Sequence, residues 1–306
     1  MVPFLARRLL ATVPILLGIV LLVMLTVDFI PGDPVALMLG EGATQEMITR
    51  VRASLGLDQP LPVRYARYVG RLVRGDLGRS VVDGRRVSEE LSDAWRTTLQ
   101  LGGAALVIAV IVGVTVGIFS AYKVYSLFDN LVRVVSLAGL SMPIFWTGLV
   151  LILVFSVWLR WLPTGGRGGW EHLIMPAVTL ATPSIAMLAR MTRSAMLDVL
   201  REDYIRTARA KGVRTRTILG YHALRNALIP IVTVLGLQMG QLLGGSVLSE
   251  TVFSWPGMGR VLVRAVLTRD YTLLQGGVLL LATTFVVVNL LVDLSYAYLD
   301  PRVMYR

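Results

Sequence analysis

The stretch TTLQLGGAALVIAVIVGVTVGIFSAY, at Thr97–Tyr122, contains no charged residue and decides the fold class. A helix needs roughly 20 apolar residues to cross about 30 Å of hydrocarbon, and this stretch is longer than that. Five other uncharged runs of similar length occur, at Leu9–Val27, Val134–Leu159, Leu173–Ala189, Ala227–Ser249 and Tyr271–Val292. The sequence therefore predicts an all-α membrane protein with six transmembrane helices, of which the fourth is short and interrupted by Pro176 and Pro183.

The composition agrees with this class. Of the 306 residues, 55% are hydrophobic and only 16% are charged, a balance that a soluble domain cannot easily shield from water. The formal net charge is +11, but the basic residues mostly flank the predicted spans, which favours contact with anionic lipid headgroups over nucleic acid. The absence of cysteine excludes disulfides and thiolate chemistry. A secretory signal is the alternative for the first run, which lacks a small-residue cleavage site.

Basic residues in short loops predict the orientation. With the amino terminus inside, the cytoplasmic side carries 15 basic residues and the short outer segments carry 5, so both termini are predicted to be cytoplasmic. This divides the chain into a tail and first helix at residues 1–30, a large extracytoplasmic segment at 31–96, and a core domain at 97–306. The core domain includes a cytoplasmic loop at 190–225.

The extracytoplasmic segment contains a predicted amphipathic helix. Leu61, Tyr65, Val69 and Leu72 recur at helical spacing, and a basic stripe runs along the same stretch. The stripe consists of Arg64, Arg67, Arg71 and Arg74. Such a helix suits a membrane surface or a partner, and equally a solvated face over a small local core.

The cytoplasmic loop has nine basic and three acidic residues, with EDYIRTARAKG at its centre. Asp203 is a predicted helix N-cap, Lys211 suits the last turn, and Gly212 suits the left-handed position after it. A helix of about two turns is not stable alone in water, so it needs a surface to dock against. Tyr204, Ile205, Ala208 and Ala210 offer a compact surface for a groove. The alternative is a solvated loop with one helical turn.

Small and polar residues within the fifth span indicate helix packing. Gly236, Gly240 and Gly244 repeat every four residues, as Gly113 and Gly117 do in the second span, and this spacing allows helix backbones to approach closely. Gln238 and Gln241 have two interpretations, the lining of a solute path or hydrogen bonds between helices. The candidate path residues are Gln238, Gln241, Ser246 and Asn289.

Two acidic residues keep a different class of transporter open. Asp28 and Asp293 are the acids closest to the apolar runs, and an acid within the membrane suggests proton coupling, with Asn289 one turn from Asp293. Both lie at predicted span ends, where anchoring at the headgroups is the alternative. An ion-coupled secondary transporter is therefore the second hypothesis. An enzyme has little support, because the chain has no GxxxxGK[ST], no HExxH and no His and carboxylate cluster with metal spacing.

Several motifs in order resemble a known family. They are PGDP at 31–34, GLDQPLPVRY at 56–65, GDLGRS at 75–80, SMPIFW at 141–146, RTARAKG at 206–212, HALRNALIP at 222–230, ETVFSWPGMG at 250–259 and LDPRV at 299–303. Together they resemble the permease subunits of ABC importers for dipeptides, oligopeptides, nickel and glutathione. The family's cytoplasmic loop has a Glu-Ala-Ala motif where this chain has Arg206, Thr207 and Ala208, a departure that the peptide subfamily shares.

This resemblance implies a type I importer permease in a prokaryotic inner membrane. The implied partners are a second permease or a second copy, two ATPase subunits that bind ATP and Mg, and an extracytoplasmic solute-binding protein. No cofactor, metal or catalytic residue is expected in this chain. The implied ATPase-coupling helix comprises Asp203, Tyr204, Ile205, Arg206, Thr207, Ala208, Arg209, Ala210, Lys211 and Gly212. The implied supporting residues in the same loop are His222, Arg225, Asn226 and Pro230.

Overall fold

The computed structural model describes residues 2–29, 34–39 and 42–299. Within these ranges the regular structure is helical, apart from one isolated antiparallel bridge between Arg79 and Arg86. The first helices are α1 (Val2–Phe29), α2 (Pro34–Leu39), α3 (Gln45–Leu55), α4 (Leu61–Val73) and α5 (Val87–Tyr122). Next come α6 (Leu127–Ser141), α7 (Ile144–Leu151) with a π-helical continuation (Ile152–Trp158), and α8 (Glu171–Leu200). The remainder are α9 (Asp203–Ala210), α10 (Thr215–Thr217), a π-helix (Ile218–Ala223), α11 (Leu224–Val252), α12 (Met258–Leu267) and α13 (Tyr271–Leu299).

Four continuous stretches of helix in the described chain are long and apolar enough to cross a membrane. They are Val87–Tyr122, Glu171–Leu200, Thr215–Leu242 and Tyr271–Val292. The first predicted span lies in α1, whose described apolar stretch, Leu10–Thr26, is shorter. By length and composition the described residues therefore hold four such helices, or five if the bent pair α6 and α7 forms one span.

The third span differs from its prediction as a single helix over Val134–Leu159. The axis bends by 110° between Leu127–Ser141 and Ile144–Trp158. Met142 and Pro143 are extended, with ψ of 131° and 138°. Proline disfavours the helical conformation at the residue before it and has no N–H to continue the helical hydrogen bonds. The SMP sequence is therefore a break in the helix.

The fourth span is longer than predicted. α8 continues through both Pro176 and Pro183. In its most apolar 18-residue stretch, 56% of the residues are buried. Ser249 of α11 donates a 3.1 Å hydrogen bond to the carbonyl oxygen of Pro176. Tertiary contacts of this kind satisfy polar groups that would be costly in an apolar environment. The prolines thus lie inside a central helix that packs against α6, α7 and α11.

The described residues divide into two compact units. The first comprises Met1–Arg96 with Gly257–Val286, and the second Thr97–Pro256 with Val287–Arg306. In the first unit, α4 packs against α1 through Tyr68, Val20 and Met24, and the helix is the amphipathic one that the sequence predicts. A second cluster in this unit joins the start of α5 to α12 and the start of α13.

Asp270 organises the loops of the first unit. Its carboxylate accepts hydrogen bonds from the Ser80 hydroxyl and from the backbone N–H of Leu273, the latter at 3.1 Å. The contact with Leu273 is an N-cap of α13. One buried carboxylate therefore holds the GDLGRS loop against the start of a long helix.

The second unit has a core built from α5, α8, α11 and the loop that follows α8. The four-residue spacing of Gly113 and Gly117 in α5 corresponds to close contacts with α8. A Cβ at Gly113 would lie 2.8 Å from Leu188 Cβ, and one at Gly117 would lie 2.6 Å from Thr192 Cβ. Real Cβ atoms do not approach so closely, so glycine is required for this contact between α5 and α8.

Candidate coupling site

The N-cap residue of α9 lies one position before the residue that the sequence predicts. Glu202 is the N-cap residue, with φ −65° and ψ 148°, and it makes no side-chain capping hydrogen bond. Asp203 is the first helical residue, so its prediction as the N-cap was wrong. Its carboxylate still lies in the first turn, where negative charge stabilises the helix through its dipole. The start of α9 is therefore held without a side-chain cap.

The end of α9 has the geometry that the sequence predicts. Gly212 has φ +76°, in the left-handed region. Its backbone N–H donates to the Arg209 carbonyl at 3.0 Å, and that of Val213 donates to the Ala208 carbonyl at 3.1 Å. This pair of hydrogen bonds is a Schellman motif, which ends a helix through a residue that tolerates positive φ. Gly212 thus fixes the direction in which the chain leaves α9.

Ile205 anchors α9 to its own chain. It is fully buried in the cluster that contains Met196 of α8 and Ile218 and Ala223 of the following π-helix. The prediction that Ile205 belongs to a surface offered to a partner is therefore wrong, since a side chain with no exposed area cannot contact a second molecule. In an eight-residue helix one strongly apolar residue faces inward, and this one supplies the docking surface that so short a helix needs.

Tyr204 and Asn226 form a polar contact beside this anchor. The Asn226 side-chain amide donates to the Tyr204 hydroxyl oxygen at 2.6 Å and to the His222 carbonyl oxygen at 3.1 Å. The Arg225 guanidinium lies 6.0 Å from the centre of the Tyr221 ring, which itself packs edge-on against His222. Pro230 lies further along, inside α11. The structure therefore brings two of the four predicted supporting residues, His222 and Asn226, into contact with Tyr204 of α9.

The outward face of α9 and its flanks is basic. The exposed cationic residues are Arg201, Arg206, Arg209, Lys211, Arg214, Arg216 and Arg225. Arg206 makes one ion pair, with Asp203 at 3.4 Å, and both side chains are largely exposed, so its contribution to stability is small. Thr207 and Ala210 are exposed and Ala208 is half-buried. A partner surface that receives this face would be complementary if it were acidic.

A buried ion pair next to this region escaped the sequence analysis. Asp129, at the start of α6, is completely buried and accepts hydrogen bonds from Arg193 of α8, at 2.6 Å to Nε and 2.9 Å to Nη2. The Ser120 hydroxyl at the end of α5 donates to the same carboxylate at 2.5 Å, and the Tyr125 backbone N–H at 3.0 Å. Three helices therefore meet at one carboxylate, two turns before α8 ends. An isolated Asp after a turn Ser is a weak sequence signal, because its partner is 64 residues away.

The candidate path residues have different environments. Gln238 is buried and accepts a 3.0 Å hydrogen bond from the Ser184 hydroxyl of α8, which is the helix-to-helix interpretation. Gln241 is exposed, Ser246 is buried and Asn289 is half-buried. A further buried carboxylate, Glu250, accepts a 2.6 Å hydrogen bond from the Thr98 hydroxyl. The side chains of Asp28 and Asp293 lie outside the described part of the structure.

The glycine stripe of α11 is only partly used within the chain. Gly236 is buried and Gly240 is half-buried, whereas a Cβ at Gly244 would meet nothing within 4 Å. The neighbouring Gly245 is the closer contact, with Ile144 and Leu180 at 3.1 and 3.3 Å from a Cβ built there. Among the described residues, Gly244 therefore makes no close contact with another helix.

Comparison with known proteins identifies the family. A family model described as the inner membrane component of binding-protein-dependent transport systems matches residues 113–305. A model for the amino-terminal part of such membrane components matches residues 1–102. The chain belongs to this family of transport permeases.

Relatives of the permease match it over their whole length. It is 45% identical to a di/tripeptide transport system permease of Pseudomonas aeruginosa, with 100% of both chains covered. It is 45% identical to a glutathione transport system permease of Salmonella paratyphi A and 44% identical to a dipeptide transport system permease of Escherichia coli K12, again over the full length of both. The full coverage extends the likeness to the segment at 31–96.

A solved structure shows the same fold. The permease is similar to a chain of the MetNI methionine ABC transporter in an inward-facing conformation, with a TM-score of 0.58 and 19% identity. The match covers 69% of this permease and 96% of that chain. At this identity the likeness establishes the architecture of the permease core alone. The family is a membrane component of transport systems, and the sequence contains no ATP-binding GxxxxGK[ST] loop.

Proposed function

We propose that this chain is the transmembrane permease subunit of an ABC importer for dipeptides, tripeptides or a similar small peptide such as glutathione. The full-length relatives named for these solutes support the peptide class. The observation that carries the coupling role is α9, a two-turn helix anchored by Ile205 and ended by Gly212, which presents an exposed basic face. A short helix held in this way can transmit a displacement to the rest of the chain as a rigid body.

The proposed topology has six crossings with both termini in the cytoplasm. It treats Leu10–Thr26 as the first crossing and the bent pair α6 and α7 as the third. The segment 31–96 is then extracytoplasmic and the loop 190–225 cytoplasmic, within a core domain at 97–306. This arrangement follows from the excess of basic residues in the segments assigned to the cytoplasm.

The proposed assembly contains two permeases, two ATPase subunits and an extracytoplasmic solute-binding protein, in a bacterial inner membrane. ATP and Mg bind to the ATPase subunits. When these close on ATP, α9 moves with them, and the buried contacts of Ile205 and of Asp129 with Arg193 carry the movement into α8 and α6. Gln241 and Asn289 remain candidates for the solute path.

The test is uptake of a labelled dipeptide by proteoliposomes. We expect uptake only when the chain is reconstituted with its second permease, the ATPases, the binding protein and ATP. Removal of the ATPases should abolish uptake even when a proton or sodium gradient is imposed. Gradient-driven uptake by the chain without ATPases would contradict the proposal and favour an ion-coupled secondary transporter.

A further inference from the structure

The exposed face of α11 carries polar side chains within the membrane span. Between Ala227 and Thr251 the exposed described residues are Ile229, Thr233, Leu237, Gln241, Gly244, Leu248 and Thr251. The Thr233 hydroxyl donates to the carbonyl oxygen of Ile229 at 2.9 Å, and the Thr251 hydroxyl donates to a carbonyl oxygen of the preceding turn at 2.7 Å. Threonine hydroxyls that bond to their own helix in this way are satisfied without water.

Gln241 is not satisfied by its own helix. Its side chain can donate two hydrogen bonds and accept two more, and none of these is made to a described residue. Gln238 is different, because it is buried and accepts a 3.0 Å hydrogen bond from the Ser184 hydroxyl of α8. Gln238 therefore joins two helices, whereas the Gln241 amide has no such role within the described chain.

Gln241 also lies far from both ends of the span. The uncharged run extends from Ala227 to Ser249, so Gln241 follows its start by 14 residues and precedes its end by 8. At about 1.5 Å per residue, these separations are roughly 21 Å and 12 Å along the helix axis. An amide at this depth cannot reach the headgroups, and against lipid it would lose the hydrogen bonds that it makes with water. The exposed face of α11 at Gln241 therefore needs polar surroundings.

The break between α6 and α7 lies beside this part of α11. Pro143 directly precedes Ile144, and a Cβ at Gly245, one turn after Gln241, would lie 3.1 Å from Ile144 Cδ1. Met142 and Pro143 have extended backbone and are exposed. Non-helical backbone at membrane depth is tolerated where protein buries it or where it lines a water-filled cavity, and this chain does not bury it. Two separate features thus require water at the same level of the membrane.

We propose that Gln241 lines a water-filled solute path and binds the peptide bond of the solute as it passes. A carboxamide can donate to the carbonyl oxygen of a peptide bond and accept from its N–H, so it suits peptides regardless of their side chains. It carries no charge, and such a contact is weak enough to release the solute. The choice of a peptide rests on the proposed function. The other occupant of this face would be the second permease, and the experiment separates the two.

The first test measures access of water to this face. The natural chain contains no cysteine, so a label on it reports only an introduced thiol. Gln241→Cys and Gly244→Cys would be treated with a charged maleimide in the assembled complex in vesicles, and a Cβ at Gly244 meets nothing within 4 Å. We expect both to be labelled, because the reactive thiolate forms in water. Ile111→Cys is the control, since Ile111 is 61% exposed in the middle of α5 and should stay unlabelled.

The same reagent tests the contact with solute. Gly244→Cys leaves Gln241 in place, so L-alanyl-L-alanine, supplied with the binding protein and ATP, should slow its labelling severalfold. Labelling that the dipeptide does not slow would refute the contact with solute. Failure to label either thiol, or labelling equal to that of Ile111→Cys, would refute the water-filled path. An oxidative cross-link from Gly244→Cys to the second permease would assign the face to the subunit interface and overturn the proposal.

Uptake tests the amide itself. We expect Gln241→Leu to lower ATP-driven dipeptide uptake by about tenfold, because two hydrogen bonds to the peptide bond are lost. Its thermal stability should not change, since Gln241 bonds to no described residue. Gln241→Asn keeps the amide on a shorter side chain and should retain part of the uptake. Thr233→Val is the matched control on the same face, because its hydroxyl bonds only to its own helix, and it should transport normally.

The outcomes separate this inference from the proposed function. Normal uptake by Gln241→Leu, or an equal loss in Thr233→Val, would refute the role of the Gln241 amide and leave the importer function standing. Absence of ATP-driven dipeptide uptake by the natural complex would refute the importer function, and with it the contact between Gln241 and a peptide.

Discussion

Arg193 of α8 donates two hydrogen bonds, at 2.6 and 2.9 Å, to the buried carboxylate of Asp129 at the start of α6. Asp129 has no exposed area and the Arg193 side chain is 20% exposed. Removal of one partner from such a pair leaves a buried charge without compensation, which is more costly than the pair itself is stabilising. The contact therefore ties α6 to α8 close to the loop that carries α9.

We predict that Arg193→Gln destabilises the folded chain by about 3 kcal/mol, because the Asp129 carboxylate then lacks its bidentate partner. Thermal unfolding in detergent and ATP-driven uptake would both report the loss. Arg133→Gln is the control, since Arg133 Nε lies 3.9 Å from the same carboxylate and its side chain is half-exposed. An equal effect of the two variants would contradict the special role of the Arg193 pair.

Gly212 tests whether the exit direction of α9 matters. At φ +76° a β-branched residue is strained, so Gly212→Val should displace the loop and abolish uptake while the chain still inserts in the membrane. Asn tolerates this region, and Gly212→Asn should retain part of the activity. Gly220→Val is the matched control, because a Cβ there meets nothing within 4 Å and its φ is not positive. Normal ATPase stimulation in Gly212→Val would count against coupling through α9.

Ala208 tests whether this face of α9 contacts an ATPase subunit. Ala208 is half-buried on a helix whose surroundings are basic, and Ala208→Glu adds bulk and one negative charge. We expect this variant to lose co-purification with the ATPases and to keep its own thermal stability. Ala66→Glu, on an exposed position of α4, should leave co-purification intact. Unchanged assembly in Ala208→Glu would show that the face is only solvated.

The sequence predicts the class of the fold and the end of α9 well, because both depend on local signals. In hydrocarbon, an uncharged run such as Thr97–Tyr122 forms a helix, because a helix satisfies the backbone hydrogen bonds within the segment. A Gly after a short helix favours the left-handed cap. The same local reasoning predicted one unbroken helix over Val134–Leu159 and missed the 110° bend after Ser141, although the bent pair still counts as one candidate span. Pro143 lies at the break in the third helix, whereas α8 continues through Pro176 and Pro183 while it packs against α6, α7 and α11.

In the candidate site, too, local signals predicted some features, whereas others depend on residues that are distant in sequence. Local spacing located α9, but it could not show that Ile205 faces inward, because the surface it meets is formed by Met196 and the π-helix at Ile218–Ala223. Nor could it find Asp129, whose importance depends on Arg193 in a different helix. Contacts between residues far apart in sequence leave no periodic signal in a single chain.

Tyr65 and Tyr68 of α4 provide a matched pair in the segment before α5. The Tyr65 hydroxyl donates a 3.1 Å hydrogen bond to the Leu17 carbonyl of α1, whereas the Tyr68 hydroxyl is buried without a partner among the described residues. Tyr65→Phe should therefore destabilise the fold by about 1 kcal/mol, and Tyr68→Phe should be neutral or stabilising. Thermal unfolding of the two variants compares them directly, and a larger loss for Tyr68→Phe would contradict the assignment.

Tyr68 also predicts that the stability of the fold depends on pH in the alkaline range. Burial raises the pKa of Tyr68 from 10.0 to about 12, against the weaker opposing charge of Arg71. Between these values the folded chain holds a proton that the unfolded chain has lost, so the free energy of unfolding decreases as pH rises through this window. Tyr68→Phe removes that contribution, and its unfolding midpoint should fall less between pH 10 and 11 than that of the natural chain. Tyr65→Phe keeps Tyr68 and should retain the full decrease; identical pH profiles for the natural chain and Tyr68→Phe would show that the Tyr68 phenol is not desolvated.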